Sequence, residues 1–217
     1  MLSIGGIPIE APLALGPMAG VTDMAFRTIC REQGAALTCT EMVSAKALCY
    51  QDRKTRSLLR LGPGEHPAGV QIFGSDPVCM AEAAQIAMEH SGADILDINM
   101  GCPAPKITSS GAGSKLMQDP ELCGRMVAAA RGALGPDKPL TVKMRIGWDA
   151  EQLTGVAVAR QCEANGADLI AVHGRTREQM YIPPIDVDAI TEIRKAVGIP
   201  VLANGDITTA EDAKQIL

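Results

Sequence analysis

The stretch ILDINMGC, residues 95–102, joins a short apolar run to a polar end. The run Ile95–Ile98 is typical of a strand that is covered on both faces of a parallel sheet. Asn99, Gly101 and Cys102 follow at the point where such a strand ends. The stretch therefore predicts a buried parallel strand with polar groups at its carboxyl end.

Six further apolar runs predict strands of the same kind, and helices are predicted between them. The predicted strands are Leu13–Leu15, Ala36–Cys39, Gly69–Ile72, Leu140–Met144, Leu169–Val172 and Pro200–Leu202. The predicted helices are Thr22–Gln33 with Thr22 as its N-cap, Ser44–Arg60, Asp76–His90, Asp119–Arg131, Asp149–Asn165, Asp186–Val197 and Thr208–Leu217. This repeating strand–helix pattern predicts either a doubly wound sheet or a barrel of parallel strands.

Polar residues follow nearly every predicted strand, and this distribution favours the barrel. A doubly wound sheet gathers its site at one switch point, whereas a barrel collects residues from many strand ends. These ends carry Pro17-Met18-Ala19-Gly20, Glu41-Met42, Gln71, Asn99–Cys102, Lys143 with Arg145, His173 with Arg175, and Asn204-Gly205-Asp206. We therefore predict an α/β fold of the TIM (β/α)₈ type, in one domain over residues 1–217. The chain ends at Leu217 after the seventh predicted strand, so we expect the eighth strand to be missing.

Composition restricts the partners and the compartment. The formal net charge of −5 argues mildly against a nucleic-acid partner, because small domains that bind nucleic acid are usually basic. The seven cysteines contain no CxxC pair, so zinc and iron–sulfur sites are not expected, and the scattered thiols suit a reducing compartment. We recognise neither a signal peptide nor a membrane-spanning stretch, and expect a cytoplasmic protein.

The chain resembles the tRNA-dihydrouridine synthase family, and is most similar to its bacterial B-type members. The matching segments, in family order, are PMAGVTDMAFR (17–27), TEMVSA (40–45), VQIFGSDP (70–77), DINMGCPAPKI (97–107), GSKLM (113–117), VKMRIGWD (142–149), VHGRTREQMY (172–181) and NGDI (204–207). The chain departs from the family at Ile182–Asp186, which replaces a segment ending in an Ala-Asp-Trp-like turn. The family's eighth strand with its Gly-Arg phosphate contact, and its C-terminal helical domain, are absent from the sequence.

The resemblance implies an enzyme that reduces uridine in tRNA to 5,6-dihydrouridine with FMN and NADPH. Reduced FMN would deliver hydride to C6 of a flipped-out uracil, and Cys102 would protonate C5. Cys102 suits this role because Gly101 and Pro103 place it in a loop at the barrel mouth, and a thiol is mostly protonated near neutral pH. We expect Cys30, Cys39, Cys79, Cys123 and Cys162 to be structural.

Further residues are predicted to bind the flavin. Lys143 lies in an apolar run and would place a cation near N1 of the ring, whereas Gln71 would donate to and accept from the ring edge. The resemblance adds Pro17, Met18, Ala19 and His173, although the first three fit a plain tight turn equally well. Asn204 and Gly205 would offer N–H groups to the phosphate. Asp206 would cap a helix or orient the backbone.

Asn99, Arg145 and Arg175 are the predicted substrate-binding residues. Asn99 would bond the uracil edge. Both arginines, with Lys106, Lys115 and Arg177, would form a basic rim that attracts RNA phosphates to an otherwise acidic body. Two alternatives stay open: an FMN barrel that acts on dihydroorotate or dihydropyrimidines, and a fragment that binds RNA without catalysis.

Overall fold

A short β-hairpin opens the part of the chain, residues 2–217, that the computed structural model describes. Strand β1 (Leu2–Ile4) pairs antiparallel with β2 (Ile7–Ile9). Ile4 and Ile9 pack against Ile95 and Leu169, at the amino-terminal ends of two central strands. The hairpin therefore covers the end of the sheet opposite to the predicted site. No signal in the sequence analysis predicted it.

The main sheet is parallel throughout, and its order is β3-β5-β6-β7-β8-β9, with β4 beside β5. Its strands are β3 (Thr38–Cys39), β4 (Val43–Ser44), β5 (Ala68–Phe73), β6 (Ile95–Met100), β7 (Leu140–Gly147), β8 (Leu169–Thr176) and β9 (Val201–Asn204). The sheet curls, with helices on its outer face. The predicted α/β architecture of the TIM-barrel type is confirmed.

The first predicted strand, Leu13–Leu15, is wrong as a regular strand. It contributes only a parallel bridge between Ala14 and Leu37, and Leu13 is exposed rather than buried. Pro12 and Pro17 flank the segment and have no N–H to extend a ladder. Among the described residues, no strand lies between this segment and β9, and an apolar groove separates the two.

Helices alternate with the strands as predicted, although several boundaries differ and the single helix predicted over Ser44–Arg60 is wrong, because this stretch forms two short helices separated by a turn. They are α1 (Met24–Glu32), α2 (Ala45–Cys49), α3 (Arg53–Ser57), α4 (Pro77–Ser91), α5 (Pro105–Thr108), α6 (Pro120–Leu134), α7 (Gly155–Ala164), α8 (Val187–Ala196) and α9 (Ala210–Ile216), with a 3₁₀ helix over Gly113–Gln118. The predicted starts of α4, α6 and α8 are confirmed. The side chains of Asp76, Asp119 and Asp186 each accept a bond from the first turn, as an N-cap does.

Three predicted helix starts are wrong, for local reasons. Asp23 rather than Thr22 caps α1, because the Thr22 hydroxyl bonds the Met18 backbone instead. Asp149 accepts from the N–H groups of Glu151 and Gln152 in a turn, so α7 begins only at Gly155. Helix α9 begins after Thr209, which forms a capping box with Asp212.

The interior lies between the curled sheet and its helices. Strands β5, β6 and β7 are buried along almost their entire length, and α4, α6 and α7 pack against them with small and flexible side chains. Alanine, methionine and cysteine fill this layer, including Ala83, Met126 and Cys162. This core fixes β5–β8 relative to each other, and so fixes the groups at their carboxyl ends.

Candidate active site

The strand pairing brings the predicted site residues to one edge of the sheet. Gln71 lies opposite Asp97, Asn99 opposite Lys143, and His173 opposite both Arg145 and Asn204. Asn99 and Asn204 lie at the carboxyl ends of their strands, whereas Asp97 and Lys143 lie further back within theirs. The strand pairing therefore places Gln71, Asn99, Lys143, Arg145, His173 and Asn204 on neighbouring strands.

A cavity of about 690 Å³, counting the open space at its mouth, lies inside the curl of the sheet. Lys143, Asp97 and Asn204 contribute its polar groups, and Gly16 and Pro17 line it from the first loop. The remaining walls are mostly apolar. Such a cavity, with few convergent polar groups, is the usual form of a cofactor site.

Lys143 reaches across the cavity to the last strand. Its Nζ donates to Oδ1 of Asn204 at 2.9 Å, and a Cβ placed on Gly16 would lie within 4 Å of both side chains. Burial lowers the pKa of Lys143 to about 8, with nearby Asp97 acting in the opposite direction. The hydrogen-bond partner of this partly buried cation is a neutral amide. An anionic ligand beside Nζ would therefore be stabilised.

His173 belongs to a second cluster, with Arg175 and Asp206. Arg175 donates to both carboxylate oxygens of Asp206, at 2.5 and 2.6 Å, and through Nη1 to Nε2 of His173 at 3.0 Å. Because a guanidinium group can only donate, Nε2 accepts and the His173 proton is on Nδ1. Burial, reinforced by the neighbouring cations, lowers the pKa of His173 to about 3. His173 is therefore a neutral imidazole.

Asp206 orients the backbone, as one of its predicted roles requires. Its Oδ2 accepts from the N–H of Ile185 at 3.1 Å, while Thr209 caps the following helix. Gly205 has a φ of +119°, and a Cβ there would lie 2.5 Å from Ile185. A larger residue at position 205 would therefore displace the segment Ile182–Asp186 on which this cluster is built.

The expectation that Arg145 and Arg175 form part of a solvated basic rim is wrong. Their side chains are buried, with relative exposures of 2% and 3%. Arg145 donates to the carbonyl oxygens of Gly101, Thr176 and Met180, at 2.8 Å each. Burial lowers the pKa of Arg145 to about 10. Both guanidinium groups hold loops together by bonding carbonyl oxygens, which the sequence pattern does not reveal.

The rest of the predicted rim is at the surface. Lys106 and Lys115 are exposed, and Arg177 is half-buried. Lys115 and Arg177 lie over the ring of Trp148, at 5.0 and 4.9 Å from its centroid. Lys106 and Lys115 lie in the segment that follows β6, and Arg177 lies directly after β8.

Cys102 lies in the loop after β6 and is half-buried. The side-chain oxygen of Asn99 accepts from the N–H groups of Gly101 and Cys102, at 3.2 and 2.9 Å. The carbonyl oxygen of Cys102 accepts from the N–H and the hydroxyl of Ser114, both at 3.0 Å. Arg145 anchors the same loop by donating to the carbonyl oxygen of Gly101 at 2.8 Å. The backbone of Cys102 is therefore held from both sides.

The first loop forms a tight turn, which was one of its two predicted forms. Met18 exchanges bonds with Thr22, and Gly20 donates to the Glu41 carboxylate at 2.6 Å. Pro17 lines the cavity, whereas Met18 and Ala19 are exposed at its mouth. The turn is thus positioned to contact a ligand that occupies the cavity.

Asp97 and Thr141 are interior polar residues that the sequence analysis missed. Asp97 accepts from Nε2 of Gln71 and from the hydroxyl of Thr141, at 2.5 Å each. The available signal was a carboxylate within an otherwise apolar strand, since such a group needs partners when it is buried. Among residues 2–217, no cluster of His, Cys, Asp and Glu has the arrangement of a metal site, and no helix is long and apolar enough to cross a membrane.

A curled parallel sheet, with helices outside it and a mostly apolar cavity inside that contains a few polar groups, defines the class of α/β barrel proteins. Residues 13–217 match the sequence profile of the dihydrouridine synthase (Dus) family. The chain belongs to that family.

Curated relatives and a solved structure agree with this placement. The chain is 43% identical over 217 residues to tRNA-dihydrouridine synthase B of Pseudomonas aeruginosa, covering 100% of this chain and 64% of the relative. It is 44% identical to the Shewanella oneidensis protein of the same name, covering 100% of this chain and 66% of that one. The chain thus spans about two thirds of the length of these relatives. A variant of NCR from Zymomonas mobilis shares the fold, with a TM-score of 0.69, 12% identity, and coverage of 99% of this chain and 80% of that one.

Proposed function

We propose that this chain is the FMN-binding barrel domain of a tRNA-dihydrouridine synthase that uses NADPH. Family membership supports the reaction, and one geometric observation supports the residue roles. Cys102, Lys143, His173 and Asn204 come from successive strands and surround one end of the barrel. A flat redox ring and a thiol on opposite faces of a pyrimidine need groups gathered in this way.

The cavity residues fit FMN. The partly buried cation at Lys143 suits the negative charge near N1 of a reduced flavin, and the neutral His173 offers a ring N–H without adding charge. Asn204 and Gly205 would meet the phosphate. Asp206 does not oppose that contact with a free charge, because Arg175 neutralises it. Pro17, Met18 and Ala19 would bound the ring from the first loop.

Gln71 can form fewer hydrogen bonds to a ligand than a free amide side chain could. Its oxygen accepts from Asn99 and its nitrogen donates to Asp97, so one N–H remains for a ligand. Asn99 is limited in the same way, since its oxygen accepts two backbone bonds. We assign both amides as donors, Gln71 to the flavin edge and Asn99 to a uracil carbonyl.

When bound, FMN would supply the hydride chemistry at C6 of the pyrimidine. Cys102 then transfers its Sγ proton to C5, and the resulting thiolate is reprotonated by water. Lys143 and Arg145, on the strand beside β6, would stabilise that thiolate while it exists. Arg145 also holds the loop through Gly101, which keeps Sγ in place during the transfer.

Transfer RNA is the proposed substrate, and the exposed basic groups are its proposed contacts. Lys106, Lys115 and Arg177 would meet phosphates around the flipped uridine, despite the acidic net charge of the chain. Arg145 and Arg175 would shape the pocket from beneath and contact only the base that enters it. Because tRNA maturation takes place there, we assign the protein to the cytoplasm.

The deciding experiment incubates the purified chain with FMN, NADPH and unmodified tRNA, and measures dihydrouridine by mass spectrometry. Parallel reactions replace tRNA with free orotate or uracil, and NADPH with NADH. We expect bound flavin, with absorbance near ~450 nm, and dihydrouridine only with tRNA. Activity on the free pyrimidine alone would favour the dehydrogenase alternative. A colourless protein that still binds tRNA would favour the RNA-binding alternative.

A further inference from the structure

A chain of hydrogen bonds runs from Thr141 through the strand ends to the Cys102 loop. The hydroxyl of Thr141 and Nε2 of Gln71 each donate to Asp97, at 2.5 Å. Nδ2 of Asn99 donates to Oε1 of Gln71 at 2.9 Å. Oδ1 of Asn99 accepts from the N–H of Cys102 at 2.9 Å. The four side chains are buried, with relative exposures of 7% or less.

The direction of every bond in this chain is fixed from its ends. The N–H of Cys102 can only donate, so Asn99 must turn its oxygen toward the loop and its nitrogen toward Gln71. Gln71 must then accept from Asn99 and donate to position 97. Position 97 must therefore carry a hydrogen-bond acceptor, and the carboxylate of Asp97 provides it. An amide turned the other way would place two acceptors or two donors in contact.

We propose that Asp97 is a positioning residue for Cys102, acting through Gln71 and Asn99. It does not touch the loop, but it determines how both amides are turned and therefore whether Asn99 offers an oxygen to Cys102. Burial raises the pKa of Asp97, and the bonds from Gln71 and Thr141 oppose that shift, so its carboxylate depends on these donors. The consequence for catalysis rests on the proposed role of Cys102, whereas the consequence for the loop does not.

The fixed order of donors and acceptors in this chain of hydrogen bonds allows a rescue test. In Gln71→Glu, a second carboxyl group faces Asp97 where the present atoms are 2.5 Å apart, so the pair shares a proton while it stays in place, and the two groups separate at a pH where both are ionised. In the double variant Gln71→Glu/Asp97→Asn, the new amide at position 97 donates to the new carboxylate at position 71 and accepts from Thr141. The carboxylate at position 71 still accepts from Asn99. All the hydrogen bonds are therefore restored, with the negative charge at position 71 instead of position 97. Asp97→Asn alone keeps an acceptor toward Gln71, whereas Asp97→Ala does not.

The measurement is the rate at which iodoacetamide alkylates Cys102, followed by mass spectrometry of its peptide in the purified full chain at matched flavin content. At a pH high enough to ionise both carboxyl groups in Gln71→Glu, we expect this variant and Asp97→Ala to alkylate about tenfold faster than the original chain, because the loop loses its anchor. Asp97→Asn and the double variant should stay within about twofold of the original chain. Thr141→Val, which removes a bond to Asp97 but leaves the Gln71 link intact, should reduce stability without changing the rate.

Turnover gives a second measurement. Asp97→Ala should slow tRNA-dependent flavin reoxidation about tenfold, and Asp97→Asn should recover it. A double variant that alkylates as fast as Gln71→Glu, or a uniform rate across the series, would overturn the proposal. If Gln71→Glu does not fold, the yield of folded double variant measures the coupling between positions 71 and 97. A double variant that also fails to fold would count against the proposal. Absence of dihydrouridine from the original chain would contradict the proposed function, while the alkylation series would still decide on Asp97.

Discussion

Nζ of Lys143 on β7 lies 2.9 Å from Oδ1 of Asn204 at the end of β9, and this bond joins two strands that are not neighbours in the sheet. Strand β8 lies between them and separates their backbones by about 10 Å, so the long Lys143 side chain spans the intervening strand. The bond places a partly buried cation in the wall of the cavity.

Replacing Lys143 with methionine should weaken FMN binding at neutral pH and remove its pH dependence. In the flavin-free protein, burial lowers the pKa of Lys143 to about 8, so the cation is progressively lost above that pH. We expect the original chain to bind FMN more weakly as pH rises through 8, and the variant to be weak and insensitive at every pH. Fluorescence titration of FMN from pH 6.5 to 9.5 measures both curves. Lys195→Met, at an exposed ion pair with Glu192, is the matched control. Parallel curves for all three proteins would contradict the assignment.

Cys102→Ala should separate the two halves of the proposed reaction. The thiol serves only the pyrimidine, so NADPH-dependent flavin reduction should stay near its original rate. Dihydrouridine formation should fall by about 10²- to 10⁴-fold, the usual contribution of a positioned acid. Stopped-flow absorbance measures the first step and mass spectrometry of tRNA the second. Cys30→Ala, in a half-buried position on α1, should affect neither. Normal dihydrouridine formation by Cys102→Ala would exclude the thiol as the acid.

His173 should make the protein sensitive to moderate acid. Its pKa is lowered to about 3 in the folded state, whereas an unfolded histidine titrates near 6.5. The unfolded chain therefore binds the extra proton between these values, and stability falls as pH drops from about 6.5 toward 3. His173→Gln should remove about one proton from the uptake on unfolding at pH 5. Urea titrations at pH 5, 6 and 7 measure the difference, with exposed His90→Gln as the control. A variant with the same pH slope as the original chain would show that His173 does not carry this effect.

The sequence predicted the central strands well, because parallel strands buried on both faces leave a strong apolar signal. It also predicted which residues follow them, and these lie at one edge of the sheet, as the pairing of Asn99 with Lys143 illustrates. The first strand was overpredicted because a short apolar run between prolines looks the same whether or not it forms a ladder. Hairpin β1–β2 was missed because its strands are only three residues long, which is too short to leave a recognisable pattern.

The burial of each polar side chain, and its hydrogen-bond partners, were much harder to predict. Arg145 and Arg175 follow their strands in the same way as exposed arginines do, and their burial depends on carbonyl oxygens such as those of Met180 and Ile182. These acceptors come from loops whose paths the local sequence does not determine. Asp97 was missed because a single carboxylate does not interrupt an apolar run, and its partners Gln71 and Thr141 lie on neighbouring strands. Contacts between strands, rather than patterns along them, determine these roles.

Gly113 is the position where a single methyl group should disturb the Cys102 loop most directly. Its φ is +61°, and a Cβ there would lie 2.7 Å from the carbonyl oxygen of Cys102 and 3.2 Å from its Cβ. Gly113→Ala combines backbone strain with this overlap, so we expect a loss of about 1–3 kcal/mol in the free energy of unfolding.

The same substitution in a helix provides the control, with an effect of opposite sign. Gly132 lies in α6, and a methyl group added there would meet nothing within 4 Å, so Gly132→Ala should stabilise the protein by about 0.5–1 kcal/mol. Urea unfolding of both variants measures the contrast, and alkylation of Cys102 should change only in Gly113→Ala. If both variants were equally stable and alkylated at equal rates, the contact between Gly113 and the Cys102 loop would not constrain the thiol, and Asn99 would be its main anchor.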